Sequence, residues 1–170
     1  ALGVGECHAP WLGERPPRDV RPHDGRRRVY RTSDGGRTWE VVGTPVASGR
    51  FSGIASLAFR DTLHGVALGG RLGAPEEFSD NVAVTADGGR TWTLAGRPAF
   101  AGAVYGGVYV PGALTPTLVA AGPKGLSLSA DEGRSWTSLS TDAYWSVGFA
   151  SPRAGWAVGP GGRITRINLP

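Results

Sequence analysis

The chain has 170 residues and a net charge of +4, and it combines 28 glycines and 13 prolines with 40% hydrophobic residues. This composition favours short strands and tight turns over long helices, because glycine and proline interrupt helices. No segment keeps a helical apolar period over three turns, and apolar runs of about six residues are too short to span a membrane. We therefore predict an all-β chain without a membrane span.

The chain contains one cysteine, Cys7, which excludes an intramolecular disulfide and a cysteine-based metal cluster. Its neighbour His8 has no second ligand pair at a useful spacing, and no nucleotide fingerprint occurs, so we predict no metal and no cofactor. The sequence contains no methionine and begins with alanine. We therefore expect a processed, trimmed or partial chain, in which the lack of an export signal is uninformative.

The N-terminal part begins with a small apolar segment, residues 1–5, which predicts a strand. Residues 7–28 follow as a long loop that is rich in proline and arginine. This loop contains Trp11 and six of the 17 arginines: Arg15, Arg18, Arg21, Arg26, Arg27 and Arg28. A second long loop, residues 71–80, is acidic. Loops of this length in a compact domain are usually functional or disordered.

A heptad with the pattern Ser/Ala-Asp-Gly/Glu-Gly-Arg-Thr/Ser-Trp occurs at residues 33–39, 86–92 and 130–136, with successive aspartates 53 and 44 residues apart. Each copy lies between two short alternating segments, which predicts a hairpin. The aspartate binds nearby backbone N–H groups, and the glycines accept positive φ. We predict structural roles for the aspartates and largely buried tryptophans, namely Asp34, Trp39, Asp87, Trp92, Asp131 and Trp136.

Between the heptads, small apolar segments occur in pairs, at 56–59 with 64–69, 107–110 with 117–122, and 146–149 with 154–159. They predict the two inner strands of a β-propeller blade, and each heptad joins the third strand to the outer strand. Registered on this unit, the chain holds about fifteen strands in four blades. The first blade lacks its inner strand and the last lacks its outer strand. We therefore expect a partial propeller with further blades upstream, six to eight in all.

The heptads resemble the Asp-box (bacterial neuraminidase, BNR) repeats of sialidase-like propellers. The phrase Gly155-Trp156-Ala157-Val158-Gly159, followed by Gly161-Gly162-Arg163-Ile164, resembles propellers of the photosystem II stability/assembly factor type. This resemblance implies a single propeller domain over residues 1–170 of a periplasmic or secreted bacterial protein. It also implies that the heptads lie on the rim away from the ligand, whereas the loops at 7–28 and 71–80 lie on the binding rim.

The favoured hypothesis is a non-catalytic binding or scaffold module, comparable to an assembly factor, which docks an acidic protein surface and no nucleic acid. The predicted contacts are Trp11, Arg15, Arg18, Arg21, Arg26, Arg27 and Arg28, because guanidinium groups bind carboxylates in bidentate fashion. Another interpretation is that the basic and acidic loops simply pack together. Tyr105, Tyr144 and Trp145 precede predicted inner strands and are interpreted as core residues.

The alternative function is a sialidase-like glycoside hydrolase. Such chemistry needs paired carboxylates or a Tyr/Glu pair, together with an arginine cluster. The Phe/Tyr-Arg-Ile-Pro signature of sialidases does not occur in the chain. Asp61 and Asp142 are the candidate acids, although both lie at turn-like positions. We predict no catalytic residue within this chain, and a hydrolase would need residues outside it.

Overall fold

A computed structural model describes residues 27–49 and 51–169. These residues form antiparallel strands, one 3-10 turn at Pro160–Gly162 and no α-helix, which confirms the all-β prediction. The strands are β1 Arg27–Arg31, β2 Glu40–Thr44, β3 Ser52–Phe59, β4 Gly65–Arg71, β5 Val82–Thr85, β6 Thr93–Leu94, β7 Gly106–Tyr109, β8 Leu118–Gly122, β9 Gly125–Ser129, β10 Thr137–Ser140, β11 Ser146–Ser151, β12 Ala154–Gly159 and β13 Arg163–Ile167. The strand predicted at 1–5 lies outside the described residues.

The described strands form four sheets, each with its strands in chain order: β1-β2, β3-β4-β5-β6, β7-β8-β9-β10 and β11-β12-β13. We call them blades 1 to 4. These are four antiparallel sheets, of which the first and the last have fewer strands. They confirm the predicted set of propeller blades. The described part of the chain has thirteen strands rather than about fifteen. The heptads join β1 to β2, β5 to β6 and β9 to β10, as the hairpin signal predicts.

Each blade packs on its neighbours through both faces of its sheet, because successive side chains of a strand point to opposite faces. In β4, Val66 and Leu68 pack towards blade 3, whereas Ala67 packs towards blade 1. All three side chains are fully buried. The centre of this second strand is therefore apolar on both faces, because neighbouring blades cover both of them.

Three apolar clusters fill the spaces between consecutive blades. Between blades 1 and 2 the cluster consists of Val29, Val46, Ala67, Ala83 and Trp92. Between blades 2 and 3 it consists of Val66, Leu68, Val82, Phe100, Val104, Tyr109, Leu118 and Ala120. Between blades 3 and 4 it consists of Ala121, Leu126, Tyr144, Ala157 and Ile167. The core is thus a series of layers between the sheets.

The strand directions sort the connections onto two rims. The first strands β3, β7 and β11 all run from one rim to the other. The rim where they end also has the three heptads, and we call it the turn rim. The rim where they begin has the connections at 45–49, 72–81, 95–105 and 141–145, and we call it the loop rim. Candidate functional residues can therefore be assigned to one rim or the other.

Close packing of β3 on β4 requires glycine at one position. A Cβ atom at Gly69 would lie 1.9 Å from the carbonyl oxygen of Gly53, whereas a Cβ atom at Gly53 would meet no heavy atom within 4 Å. Both residues lie in regular strands of the same blade. Substitutions at Gly69 and at Gly53 can therefore distinguish a steric requirement at one position from a general preference for glycine in these strands.

We expect Gly69→Ala to lower the free energy of unfolding by about 1–3 kcal/mol, the usual cost of overpacking a closely packed interior. Gly53→Ala should change it by less than about 0.5 kcal/mol, as open surface positions do. Urea denaturation of the two variants and the wild type measures both values. Equal destabilisation by the two substitutions would contradict the predicted contact of β3 with β4.

Candidate functional site

The heptad aspartates on the turn rim are structural. Asp34 Oδ1 accepts the backbone N–H groups of Arg37 at 3.0 Å and Thr38 at 2.9 Å. Its Oδ2 accepts the Thr38 hydroxyl at 2.6 Å, and Thr32 donates its hydroxyl to Oδ1 at 2.9 Å. Asp87 and Asp131 repeat this pattern in their own turns. Each of the three aspartates thus accepts hydrogen bonds within its own turn, as a structural role requires.

These hydrogen bonds keep the aspartates ionised. The pKa of Asp34 is lowered from 3.8 to about 2, chiefly by the Thr38 hydroxyl. The pKa of Asp131 is lowered to about 2, chiefly by the Ser135 hydroxyl, and that of Asp87 is lowered by Thr91. Donors that stabilise a carboxylate lower its pKa. None of the three is suited to donate a proton near neutral pH.

The heptad tryptophans differ in burial, because only Trp92 and Trp136 pack on a described preceding blade. Trp92 is 9% exposed, and Trp136 is half-buried. The indole N–H of Trp136 donates to Gly96 O of blade 2 at 3.1 Å. Trp39 is 51% exposed, so its predicted burial was wrong. No described sheet precedes blade 1, and burial of this residue type depends on a neighbouring blade that a local pattern does not specify.

The two candidate acids of the hydrolase hypothesis are not brought together. Asp61 follows β3 on the turn rim, where it accepts the backbone N–H groups of Leu63 at 2.8 Å and His64 at 2.7 Å. These two hydrogen bonds lower the pKa of Asp61 to about 2, and the bond from His64 has the larger effect. Asp142 precedes β11 on the loop rim, where it pairs with Arg163 at 2.5 Å. Glycoside hydrolysis needs two carboxylates flanking one bond.

An ion pair on the turn rim connects blades 2 and 3. Arg60 donates to Glu132 Oε1 from Nε at 2.9 Å and from its terminal nitrogen at 2.6 Å. Glu132 occupies, at φ +61°, the position that glycine has in the other two heptads. Arg60 also lies 3.1 Å from Asp61 Oδ2. These charged groups satisfy one another and connect adjacent sheets.

The carboxylates of the acidic loop on the loop rim pair with lysine and arginine side chains of the described residues. Glu76 pairs with Lys124 at 2.6 Å, and Glu77 pairs with Arg71 at 2.9 Å. Asp80 accepts from Arg97 at 3.0 Å. Each pair is exposed, so its contribution to stability is small. All three carboxylates nevertheless have a cation beside them without the arginines of residues 7–26.

A buried amide anchors the same loop to the entry of blade 3. The Asn81 side chain is buried, and its Nδ2 donates to Gly102 O at 2.6 Å. Its Oδ1 accepts the Ser79 hydroxyl at 2.6 Å, and Gly102 N–H donates to Glu77 O at 2.9 Å. Sequence reasoning missed Asn81, because no local pattern marks a partner 21 residues away. The loop is therefore held in one position on the rim.

Of the predicted binding residues, Trp11, Arg15, Arg18, Arg21 and Arg26 lie outside the described residues. Arg27 begins β1, and its guanidinium donates to Gly49 O and to the Ser52 hydroxyl. These contacts fix β1 to the connection that leads into blade 2. Arg28 is half-buried on the same strand. A partner contact at Arg27 or Arg28 stays a prediction.

Aromatic and apolar side chains are exposed beside these charges. Tyr144 is buried as predicted and Tyr105 is half-buried, but Trp145 is 57% exposed, so its interpretation as a core residue was wrong. Leu72 and Phe78 of the acidic loop are also more than half exposed. Sequence reasoning missed these two, because exposure of an apolar residue in a long loop has no periodic signal. The loop rim thus combines apolar groups with paired charges.

Two further findings concern residues 27–49 and 51–169. No helix there is long and apolar enough to cross a membrane. No group of three or more His, Cys, Asp or Glu side chains could hold a metal ion in that part of the chain.

The chain matches no family model and no curated protein. Among solved structures it is similar to one described as "YCF48 bound to D1 peptide", with a TM-score of 0.51 and 18% sequence identity. The match covers 79% of this chain and 44% of that chain. YCF48 is a photosystem II assembly factor with a β-propeller fold. This likeness supports the propeller fold, and the chain spans less than half of that protein.

We expect acid to weaken the turns. A carboxylate whose pKa is lower in the folded state stabilises the fold fully above its unfolded pKa, and this contribution is lost as the pH falls through the folded pKa. The free energy of unfolding should therefore fall between about pH 4 and pH 2. Asp131→Asn should be less stable near neutral pH and should lose less stability over that interval. Urea denaturation as a function of pH tests this, and equal slopes would contradict it.

We also expect that replacing the heptad tryptophans by alanine lowers the free energy of unfolding by unequal amounts. Trp92→Ala should lower the free energy of unfolding by about 3–5 kcal/mol, as removal of a buried tryptophan does. Trp39→Ala should cost about 1–2 kcal/mol, because half of its surface is already in water. Thermal and urea unfolding of both variants measures the difference. A larger cost at Trp39 than at Trp92 would contradict the prediction that burial sets the cost.

Proposed function

We propose that this chain is a non-catalytic β-propeller module that binds an acidic protein segment at its loop rim. The observation that supports this most directly is the pairing of Glu76, Glu77 and Asp80 with Lys124, Arg71 and Arg97. The acidic loop has its own cations and does not require the arginines of residues 7–28 for neutralisation. We infer that Arg15, Arg18, Arg21 and Arg26 act on a partner.

The side chains of residues 11–28 are of the kind that binds carboxylates. Six arginines fall within fourteen consecutive positions, 15–28, and Trp11 precedes them. Guanidinium groups form bidentate hydrogen bonds with carboxylates and stack on aromatic rings. Leu72 and Phe78 are exposed on the loop rim and are the apolar contacts of the proposal. An acidic peptide with an apolar residue matches both features.

The turn rim is the poorer candidate for a partner surface, because its carboxylates already have partners within the fold. Its heptads resemble Asp-box repeats, and their aspartates are occupied by hydrogen bonds within their own turns. The pair Arg60 and Glu132 is likewise occupied in connecting two blades. The loop rim is therefore the better candidate for a partner surface. The solved structure of YCF48 with a D1 peptide is a precedent for a propeller that binds a peptide.

The proposal includes an assembly-factor-like role in the periplasm or outside the cell, which the resemblance to propellers of the photosystem II stability/assembly factor type implies. Fractionation of cells that express the complete open reading frame would test the location. Recovery in the cytoplasm would contradict this part of the proposal and leave peptide binding open.

The binding test uses a fluorescent peptide with four glutamates and one phenylalanine, and a second peptide with glutamines in place of the glutamates. The wild type should bind the acidic peptide more tightly, and salt should weaken that binding because exposed charges are screened. A variant with Arg15, Arg18 and Arg21 replaced by serine should bind about tenfold more weakly, since three exposed contacts at about 0.5 kcal/mol each amount to that factor. Fluorescence anisotropy measures the affinities.

The matched control replaces three heptad arginines, Arg37, Arg90 and Arg134, by serine. It removes the same charge from the turn rim, so its affinity should stay within about twofold of the wild-type value once net charge is equal. Equal losses in the two variants would show that only net charge matters. No difference between the glutamate and glutamine peptides would exclude carboxylate recognition.

A further inference from the structure

A cavity of about 420 Å³ opens on the turn rim between blades 2 and 3. One wall is the end of β3, with Phe59 and Arg60, and the other is the connection at 110–117 between β7 and β8. Tyr109 also lines the cavity. Blades 2 and 3 each have a described sheet on both sides, so the cavity does not lie at an end of the described chain.

The Tyr109 side chain presents an unused hydroxyl group to this cavity. The residue is only 8% exposed and belongs to the apolar layer between blades 2 and 3. No described residue forms a hydrogen bond with the hydroxyl group. Burial raises the pKa of Tyr109 to about 12, so the group keeps its proton and is a donor at neutral pH. A buried donor without a partner is costly, which favours a ligand that brings an acceptor.

The charged groups beside Tyr109 are already matched with one another. Arg60 donates to Glu132 Oε1 from two of its nitrogens, and its third nitrogen lies 3.1 Å from Asp61 Oδ2. A guanidinium group has five N–H donors, so Arg60 keeps donors for a ligand as well. An anionic ligand would have to compete with two carboxylates, whereas an uncharged acceptor would not. The cavity is therefore suited to neutral carbonyl oxygens.

Apolar side chains complete the cavity. Phe59 is 42% exposed, and the opposite wall contains Pro111, Leu114 and Pro116. Leu114 is fully exposed, so the described chain does not bury it. Grooves lined by aromatic side chains bind extended proline-rich segments. The carbonyl groups of such segments have no internal partners, and proline has no N–H group, so donors from the cavity can satisfy them.

We propose that this cavity binds an uncharged, proline-rich extended segment of a partner protein, with a main-chain carbonyl that accepts from the Tyr109 hydroxyl and from Arg60. The chain's own proline-rich loop, residues 7–28, is predicted to lie on the opposite rim, so the segment comes from another protein. The site differs from the proposed acidic-peptide surface in its rim and in the charge of its ligand. The inference does not rest on the proposed function, and either can fail while the other holds.

The test measures the binding of fluorescently labelled hexaproline, capped at both ends, to the 170-residue protein by anisotropy. A capped peptide of the same length with alternating glycine and serine is the comparison. The wild type should bind hexaproline at least about tenfold more tightly than the comparison peptide. Its affinity should change by less than about twofold between low and high salt, because the ligand has no charge to be screened.

Three variants locate the binding. Tyr109→Phe removes only the hydroxyl group and should weaken hexaproline binding about two- to tenfold, as loss of one hydrogen bond does. Its melting temperature should equal or exceed that of the wild type, because the hydroxyl group has no partner in the described fold. Leu114→Ser should weaken binding about fivefold without changing the melting temperature. Tyr105→Phe is the matched control, because Tyr105 is a half-buried tyrosine on the loop rim, and its affinity should stay within about twofold of the wild-type value.

Several outcomes would overturn the proposal. A wild type that does not bind hexaproline at up to about 1 mM, or that binds the two peptides equally, would do so. Unchanged affinity in Tyr109→Phe, or an equal loss in Tyr105→Phe, would reject the site, and a lower melting temperature of Tyr109→Phe would show that the hydroxyl group serves the fold. Displacement of hexaproline by the four-glutamate peptide would place both ligands on one surface. Tighter binding of a synthetic peptide of residues 7–26 would assign the cavity to the chain's own loop.

Discussion

Packing of each sheet between two others is the constraint on which the rest of this structure depends. In β4 the side chains of Val66, Ala67 and Leu68 alternate between blades 3 and 1, and all are fully buried. A sheet covered on both faces needs apolar residues on both sides of its second strand, because successive side chains point to opposite faces. It also needs small residues where strands approach closely, as at Gly69 against Gly53. The positions of both rims follow from this layered arrangement.

The heptad turns illustrate how one local structure takes on different surroundings. Each aspartate is satisfied within its own turn, so the hairpin is self-contained. The tryptophan that follows reaches the preceding blade, as the bond from Trp136 to Gly96 shows. The turn thus closes a hairpin and also anchors one blade on another. Glu132 extends this role, because its side chain pairs with Arg60 of blade 2.

The two rims differ in how their charged side chains are paired. On the turn rim, Asp61 accepts backbone N–H groups that lower its pKa, and Glu132 pairs with Arg60 between the blades, so these carboxylates are structurally occupied. On the loop rim, the charges of the long acidic loop are paired at the surface, and apolar side chains are exposed next to them. The proposed partner surface lies on this second rim, where the exposed pairs contribute little to stability.

The sequence by itself determined the strands, the hairpins and the heptad turns, because these depend on residue alternation and on hydrogen bonds within a few positions. It also predicted the buried Tyr144 and the structural aspartates. Only the tertiary structure decided that Trp39 and Trp145 are exposed, that Asp61 and Asp142 lie on opposite rims, and that Asn81 anchors a loop. Burial and proximity of these residues depend on which sheet packs on which, and contacts between residues distant in the chain leave no local pattern.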